Sequence, residues 1–339
     1  MSEIDVTIFI RSRNEATFIG ACLRAISEQE HSYKIEVIVL DSESTDGTSV
    51  IAQQHGAQVF SIPKKLFTFS SALNAGIHLA KGRFFVCLSA HCVPASPHWL
   101  AELLRPLRDD MCAAAYSRQI PWPDASIPEG LQIKRAFPDK PRHSSPESWK
   151  LSQAEGKEAY QASFHSNTSS AYKLETLKNY PFRKIPAAED RLLATELLGE
   201  GYSIYYAPTS IAYHLHYPSF QEFRAVARMS TVSRHLINLQ CGSKRNLATR
   251  FSYLVSQIKI PTFIVLLSIL IIIPLLPGRK NRLRELHWRI ASLGTTIGKS
   301  EGIYSLLHDV KDVLPLEVDS PHEILQHLTA TQQCTLSSN

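Results

Sequence analysis

The sequence lacks both the cysteine pairing and the leader that a secreted protein would carry. Its six cysteines are scattered without a C-x-x-C pair, and the opening residues MSEIDVTIF hold no basic stretch followed by an apolar one. Internal repeats and long low-complexity tracts are also missing. The scattered cysteines and the missing leader predict a reducing, cytosolic location for the catalytic part.

The sequence also has little net charge. Its 36 Lys and Arg residues against 31 Asp and Glu give a formal charge of +5. No RNA- or DNA-binding motif accompanies this mild excess, so we expect no nucleic-acid partner.

Apolar runs dominate the N-terminal half and alternate with helical patterns. Strand-like runs occupy residues 6–10, 37–40, 58–62 and 83–88, and the intervening helices include one closed by Gly56. This alternation predicts a mixed, mostly parallel sheet flanked by helices. With 339 residues, 44% of them hydrophobic, we expect one large α/β domain with an appendage in the C-terminal third.

The motif DSESTDGT, Asp41 to Thr48, directly follows the apolar run at 37–40. It predicts a buried strand that leads into a capped helix. Ligands of open parallel sheets bind beyond the carboxyl ends of the strands, where Asp41 could accept hydrogen bonds from a ribose or base. The alternative is that Asp41, Ser44 and Asp46 are only turn and cap residues.

The stretch from Pro121 to Glu158 is rich in Pro, Ser and charged residues. Its composition predicts a long loop region with a short helix. Long loops beside a compact sheet are usually functional or mobile.

Four segments carry a family resemblance: VTIFIRSRNEATFI, DSESTDGT, FSSALNAGIHLAKGRFFVCLSAHCVPASPHWL and AAEDRLLATELLGEGYSIYYAP. In this order and spacing they resemble family 2 glycosyltransferases of the GT-A fold, especially the rhamnosyltransferase-like branch that builds polysaccharides. The resemblance implies an inverting transfer of a sugar from a nucleoside diphosphate donor to a hydroxyl of a saccharide or lipid-linked acceptor. It also implies a role in surface polysaccharide biosynthesis.

The resemblance, which covers about residues 4 to 230, also implies a domain organisation. Residues 1–218 would form the GT-A catalytic domain, with a nucleotide-sugar-binding half at 1–118 and an acceptor half at 119–218. Residues 219–339 would form a helical C-terminal region.

By the same resemblance, several polar residues would bind the nucleotide sugar. Asn74 occupies the Asn of the family's Asn-x-Gly motif, although an ordinary polar helix position is the alternative. Asn167 fits the loop that lines the sugar or acceptor side, and Arg191 would reach the donor phosphates or pair with a carboxylate. The remaining donor contacts would come from Arg13, Asn14, Glu15, Asp41 and Ser44.

One motif departs from the family pattern. Ser89-Ala90-His91 stands where the family usually has an Asp-x-Asp that holds a divalent ion, so dependence on Mn²⁺ or Mg²⁺ is in doubt. His214 and His216 alternate on an extended segment and would face the same side. With His91 they would bind a softer metal or contact the diphosphate directly; the alternative is three histidines with ordinary structural partners. The sequence indicates no organic cofactor.

Glu189-Asp190 opens a predicted helix and matches the family's Glu-Asp motif. In that motif the Asp removes the proton from the acceptor hydroxyl, so Asp190 is the predicted base and Glu189 the reserve. Acidic residues at a helix start also complement the helix dipole, which is the alternative.

The C-terminal third contains the nearly continuous apolar run 260–276, flanked on both sides by basic residues. A spanning helix needs about 20 apolar residues, so this run lies at the lower limit for crossing a bilayer. We expect it to associate with the membrane, by insertion or at the surface, and to place the catalytic domain on the cytoplasmic face. A buried soluble helix is the alternative.

Two further functional classes stay open at this point. A nucleotidyltransferase of related fold would usually show a glycine-rich loop after the first strand, and this chain has no glycine there until Gly20. A nucleotide-sugar-binding scaffold whose catalysis has decayed would explain the altered Ser89-Ala90-His91 triplet. The oligomeric state is not indicated.

Overall fold

The structure is a computed structural model of the chain. It describes residues 4–123, 125, 127–157, 159–214, 220–241 and 316–337. The predicted apolar segment 260–276 and His216 lie outside the described residues.

Nine strands occur in the described part of the chain. In chain order they are β1 (Val6–Ser12), β2 (Ile35–Asp41), β3 (Gln58–Ser61), β4 (Phe84–Ser89), β5 (Cys92–Pro94), β6 (Cys112–Pro121), β7 (Arg142–Ser144), β8 (Ser169–Lys173) and β9 (Ser203–His214).

The α-helices of the same ranges alternate with these strands in the first half and cluster in the second. They are α1 (Ile19–Ser27), α2 (Thr48–Gln54), α3 (Phe69–Leu79), α4 (Trp99–Leu104), α5 (Ile127–Ala136), α6 (Pro146–Ala154), α7 (Ala159–Ala162), α8 (Leu174–Asn179), α9 (Glu189–Gly199), α10 (Phe220–Gln240) and α11 (His322–Ser337). Two short 3₁₀ turns occupy Lys64–Leu66 and Arg105–Arg108.

All nine strands belong to one mixed sheet. Its order is β3-β2-β1-β4-β8-β6-β9-β5, with β7 paired to β9. The first four strands of this order are mutually parallel, β8 is antiparallel to both β4 and β6, and β9 is parallel to β6. The carboxyl ends of β1, β2, β4 and β6 therefore lie at the same edge of the sheet, as the alternating pattern predicted.

Apolar layers cover both faces of the sheet. In β1, Ile8 and Ile10 point into the layer that contains α1, whereas Phe9 points into the layer that contains α3 and α9. Gly76 allows α3 to approach the sheet closely, because a Cβ there would lie 2.7 Å from the Phe9 ring. The glycine of the Asn-x-Gly motif thus has a packing role.

The prediction for the stretch from Pro121 to Glu158, a long loop region with a short helix, understated its secondary structure. The stretch contains helices α5 and α6 and the strand β7. Ser145 caps α6, since its Oγ accepts the backbone N–H of Ser148 at 3.2 Å, and Pro146 occupies the first turn. A Ser-Pro pair at a helix start is a known sequence signal, which the overall polar composition obscured.

Strand β9 continues through Pro208. The pairing with β6 jumps from Ser117–Ala207 to Arg118–Ile211, which makes a bulge of the intervening residues. Proline fits a bulge because no ladder hydrogen bond is required of its nitrogen there.

The C-terminal residues return to the N-terminal domain. Leu316, Ile324 and Leu328 are buried in the same apolar cluster as α3 and α9. Arg183 pairs with Val318 in a single antiparallel bridge. Within the described ranges, no helix combines the length and the apolar content that crossing a bilayer requires.

Candidate functional site

Asp41 ends β2 at the carboxyl edge of the sheet and is almost fully buried. Its Oδ1 accepts hydrogen bonds from the hydroxyls of Ser12, at 2.9 Å, and Ser44, at 2.5 Å, and its Oδ2 accepts the backbone N–H of Ser44 at 3.0 Å. Two loops thus hold one carboxylate in place. Ser44 was predicted to contact the nucleotide-sugar donor, and in this structure it orients the Asp41 carboxylate.

The loops after β1 and β2 are joined to each other by further hydrogen bonds. The Asn14 backbone N–H donates to Ser44 Oγ at 2.8 Å, and the Asn14 side-chain oxygen accepts the N–H of Thr45 at 2.9 Å. Asn14 has a left-handed backbone with φ of 55°, which asparagine tolerates better than most residues. Arg13, which directly precedes Asn14, is exposed. These contacts hold the loops after β1 and β2 against each other.

Asp46 shows that part of this motif is structural. Its carboxylate accepts the backbone N–H groups of Ala16, at 2.9 Å, and Thr48, at 3.1 Å. Desolvation raises the pKa of Asp46, but hydrogen bonds from the Thr48 hydroxyl and from these backbone N–H groups outweigh it and bring the pKa below its ordinary value. The turn-and-cap interpretation is therefore correct for Asp46.

The turn after β4 brings together residues that the sequence singled out separately. His91 Nδ1 lies 2.8 Å from Glu15 Oε1 in the loop after β1. The His91 ring stacks on His214 at the end of β9, with ring centroids 5.4 Å apart and an interplanar angle of 21°. Ser89 ends β4 and pairs with Arg11 of β1. The His91 and His214 rings therefore face each other in a stack, and their ring nitrogens do not point at each other.

Glu189 and Asp190 form the first turn of α9, next to the same edge. The preceding Ala188 has φ of 60°, so the chain turns sharply into the helix. Asp190 Oδ2 accepts the backbone N–H of Asn167 at 3.0 Å, and its Oδ1 accepts that of Arg191 at 2.7 Å. Both oxygens are thereby oriented, and each keeps lone-pair capacity for a further donor.

The electrostatic surroundings make Asp190 a stronger base than an ordinary aspartate. Burial, and then the neighbouring Glu189 carboxylate, raise the pKa of Asp190 to about 6, although the Asn167 and Arg191 contacts act in the opposite direction. A carboxylate with this pKa is ionised at neutral pH and accepts a proton more readily than a solvated one.

Arg11 is a site residue that the sequence analysis missed. Its Nη1 lies 3.3 Å from Glu189 Oε1, and its guanidinium carbon lies 5.4 Å from the centroid of the Phe69 ring. Asn167 also reaches Glu189, with Nδ2 to Oε1 at 3.4 Å. The sequence did contain a signal for Arg11, because a cationic residue near the carboxyl end of a buried strand is a candidate site residue. Glu189 is buried among these partners, whereas Asp190 is only partly buried.

Asn74 and Arg191 have partners in this structure that differ from the predicted donor. Asn74 Nδ2 donates to the backbone oxygens of Phe182, at 2.9 Å, and Asp319, at 2.6 Å, and its Oδ1 accepts the Phe182 N–H at 3.0 Å. The Arg191 guanidinium lies over the ring of Tyr160 at 4.1 Å. These contacts favour the ordinary helix position for Asn74, and they place the Arg191 guanidinium against Tyr160.

Contacts link the two halves of the site across the sheet edge. Asp41 bonds Ser12, the adjacent Arg11 pairs with Glu189, and Asp190 follows Glu189. Residues far apart in the sequence thus converge on one edge of one sheet.

The comparison with known protein families agrees with this geometry. Residues 7–175 match the family model described as Glycosyl transferase family 2. The chain belongs to glycosyltransferase family 2.

Two curated proteins resemble this family 2 glycosyltransferase in sequence. The O-antigen chain rhamnosyltransferase RfbN of Salmonella typhimurium is 26% identical over 225 residues, which cover 65% of this chain and 69% of that protein. The O-antigen chain rhamnosyltransferase WbaN of Salmonella anatum is 28% identical over 195 residues, which cover 56% of this chain and 59% of that protein.

Solved structures show that the fold is GT-A-like. The mannosyltransferase PcManGT from Pyrobaculum calidifontis, in complex with GDP-Man and Mn²⁺, has a TM-score of 0.51 at 17% identity, covering 97% of this chain and 80% of that one. TarS 1–349 of S. aureus, in complex with UDP, has a TM-score of 0.51 at 14% identity, covering 93% and 96%.

Proposed function

We propose that this glycosyltransferase transfers a sugar from a nucleoside diphosphate to a saccharide or lipid-linked acceptor by an inverting displacement. The observation that carries the proposal is the Asp190 carboxylate, which two backbone N–H groups orient at the edge where Asp41 lies. The two O-antigen rhamnosyltransferase relatives support a role in surface polysaccharide synthesis.

In the proposed reaction, Asp190 removes the proton of the acceptor hydroxyl, and the oxygen of that hydroxyl attacks the anomeric carbon of the donor sugar. The bond from that carbon to the diphosphate oxygen breaks, and the nucleoside diphosphate departs with the negative charge. One displacement inverts the anomeric configuration. Asp41 and the loop residues Arg13, Asn14 and Glu15 would hold the nucleoside.

Divalent ions assist many reactions of this type, so the residues must be tested for their fit to one. Ser89 and His91 replace the carboxylates that Mn²⁺ or Mg²⁺ prefers, and Glu15 is already engaged by His91. Among the described residues, no group of three or more His, Cys, Asp and Glu is arranged to hold a metal. This donor set fits a hard divalent ion poorly, and we assign it no step.

Cationic side chains at the site would stabilise the leaving diphosphate instead. Arg11 is held at the carboxyl edge of the sheet by β1, and its strand neighbour is Ser89, where the family motif would begin. Guanidinium groups suit phosphate oxygens because they donate two parallel hydrogen bonds. Metal binding by His91, His214 and His216 stays a prediction.

The predicted location on the cytoplasmic face of a membrane is also part of the proposal. It rests on the apolar run 260–276 and its basic flanks, which would bring the catalytic site to an amphiphilic acceptor.

A binding panel tests the proposal. The full chain is titrated calorimetrically with nucleoside diphosphates of each base, once with Mn²⁺ and once with a chelator. We expect the nucleoside diphosphate of one base to bind best. Its affinity should be the same with Mn²⁺ and with the chelator. Asp41→Asn should weaken that binding about tenfold or more, since a charged acceptor is lost. Absence of binding by every nucleoside diphosphate would contradict the proposed function.

A further inference from the structure

The chain that leads into α9 pairs with a short piece of the C-terminal region. The backbone N–H of Asp319 donates to the Phe182 oxygen at 3.1 Å. Two residues further along, the N–H of Lys184 donates to the Glu317 oxygen at 2.7 Å. We call residues 316–319 the C-terminal strap, which runs antiparallel to this part of the chain. The strap therefore holds the chain a few residues before the predicted base.

Arg183 joins the strap to α9 itself. Its Nη1 donates to the Leu316 oxygen at 3.0 Å, and its Nε donates to the Glu196 carboxylate on α9. This ion pair is partly shielded from solvent, because the Glu196 side chain is only 15% exposed. One guanidinium group thus connects the strap with the helix that begins at Glu189 and Asp190.

Two further helices hold the same part of the chain. The Ser70 hydroxyl on α3 donates to the Arg183 backbone oxygen at 2.8 Å, and the Ala187 N–H donates to the Ser233 hydroxyl on α10 at 3.0 Å. Ala188 then has a left-handed backbone with φ of 60°, which residues other than glycine rarely adopt. Such a conformation persists where surrounding contacts fix it. The strap, α3 and α10 supply contacts of this kind directly before the predicted base.

We propose that Arg183 is a positioning residue for the base Asp190, and that it anchors α9 to the C-terminal strap through its ion pair with Glu196. A base must lie within hydrogen-bonding distance of the acceptor hydroxyl, so a small displacement of the first turn of α9 lowers the rate strongly. The inference rests on the proposed function, because it takes Asp190 as the base.

Amide hydrogen exchange of the full chain tests the positioning without any substrate. The Asn167 N–H donates to Asp190 Oδ2 at 3.0 Å, so protection of this amide reports whether Asp190 stays in place. We expect Arg183→Gln to lower this protection about tenfold or more, because the strap no longer holds α9. Arg183→Lys keeps a charge beside Glu196 but loses the planar fork that also reaches Leu316, so its loss should be smaller.

Ile26→Val is the control for a loss of stability alone. It removes a buried methyl group from the apolar layer that contains α1, so urea unfolding should show a less stable protein. In this variant the Asn167 amide should lose no more protection than the Val39 amide inside β2. In Arg183→Gln the Asn167 amide should lose more protection than the Val39 amide.

Turnover of the nucleotide sugar is the second readout. Arg183→Gln should lower kcat about tenfold or more and leave nucleoside diphosphate affinity unchanged, because it displaces the base and not the donor contacts. Glu196→Gln removes the other charge of the ion pair. If Arg183 acts through Glu196, the double variant should lose no more kcat than Arg183→Gln alone. Ile26→Val should keep the wild-type kcat.

Three results would overturn the inference. They are wild-type protection of Asn167 in Arg183→Gln, full kcat in Arg183→Gln, and an additive loss of kcat in the double variant. A failure of the proposed function differs from these, because Asp190→Asn would then keep its turnover or no nucleoside diphosphate would bind. In either case the exchange of the Asn167 amide still decides whether Arg183 positions Asp190.

Discussion

Asp190 illustrates how neighbouring side chains tune one carboxyl group. Arg11 and Asn167 hold Glu189 beside it, so a second negative charge is fixed near the base. Burial, and then that charge, raise the pKa of Asp190 to about 6, which favours proton transfer at neutral pH. The sequence indicated the Glu-Asp pair, but the partner Arg11 became evident only when the sheet placed β1 beside α9.

This arrangement predicts a specific pH dependence. Transfer requires the ionised Asp190, so kcat should fall below a pH of about 6 and should approach a tenfold loss per further pH unit. Glu189→Gln removes the charge that raises the pKa, and the acidic limb should therefore move to lower pH. The measurement is kcat against pH for both proteins.

Glu175→Gln, an exposed change on α8, is the matched control and should leave the profile in place. An acidic limb that does not move in Glu189→Gln would show that Glu189 does not act on the base.

Among the elements, α3 has a structural task that its motif did not reveal. Through Asn74 it holds the backbone of Phe182 and of Asp319, which ties the C-terminal segment to the N-terminal domain. The family's Asn-x-Gly motif suggested a ligand contact for Asn74. No sequence pattern could have indicated that its partners are Phe182 and Asp319, which lie far away in the chain. A polar side chain that satisfies buried backbone groups cannot be distinguished from a binding residue until the chain is folded.

We expect Asn74→Ala to lower the free energy of unfolding by about 2–4 kcal/mol, because it leaves buried backbone groups without partners. Nucleoside diphosphate affinity of the folded variant should stay unchanged. Urea unfolding and calorimetric titration measure the two effects, and Asn179→Ala at the exposed end of α8 serves as the control. Loss of nucleotide binding without loss of stability would restore Asn74 to the donor site.

Elements differed in how well the sequence predicted them. The strands β1, β2 and β4 were evident because each is a buried apolar run bounded by polar residues. The α5–α6 region was misjudged because its helices are polar and depend on caps such as Ser145. The course of β9 through Pro208 depends on pairing with β6, which is a long-range contact.

At the scale of the whole molecule, function depends on topology bringing distant segments to one edge. The mixed sheet aligns the ends of β1, β2 and β4, and α9 adds the predicted base from much later in the chain. The sequence indicated this convergence through the family resemblance and the strand-helix alternation. It could not indicate the Arg11–Glu189 ion pair, whose members lie on β1 and α9 and meet only through tertiary packing.

The central claim is that Asp190 is the base at an edge shared with the donor site. The most direct test compares the wild type with Asp190→Asn, measuring turnover of the nucleotide sugar whose base the binding panel selects, together with nucleoside diphosphate affinity. Asp110→Asn, a fully exposed change, is the control and should behave as the wild type. We predict that Asp190→Asn lowers kcat by about 10²–10⁴-fold with little change in affinity. Full turnover by Asp190→Asn would contradict the account.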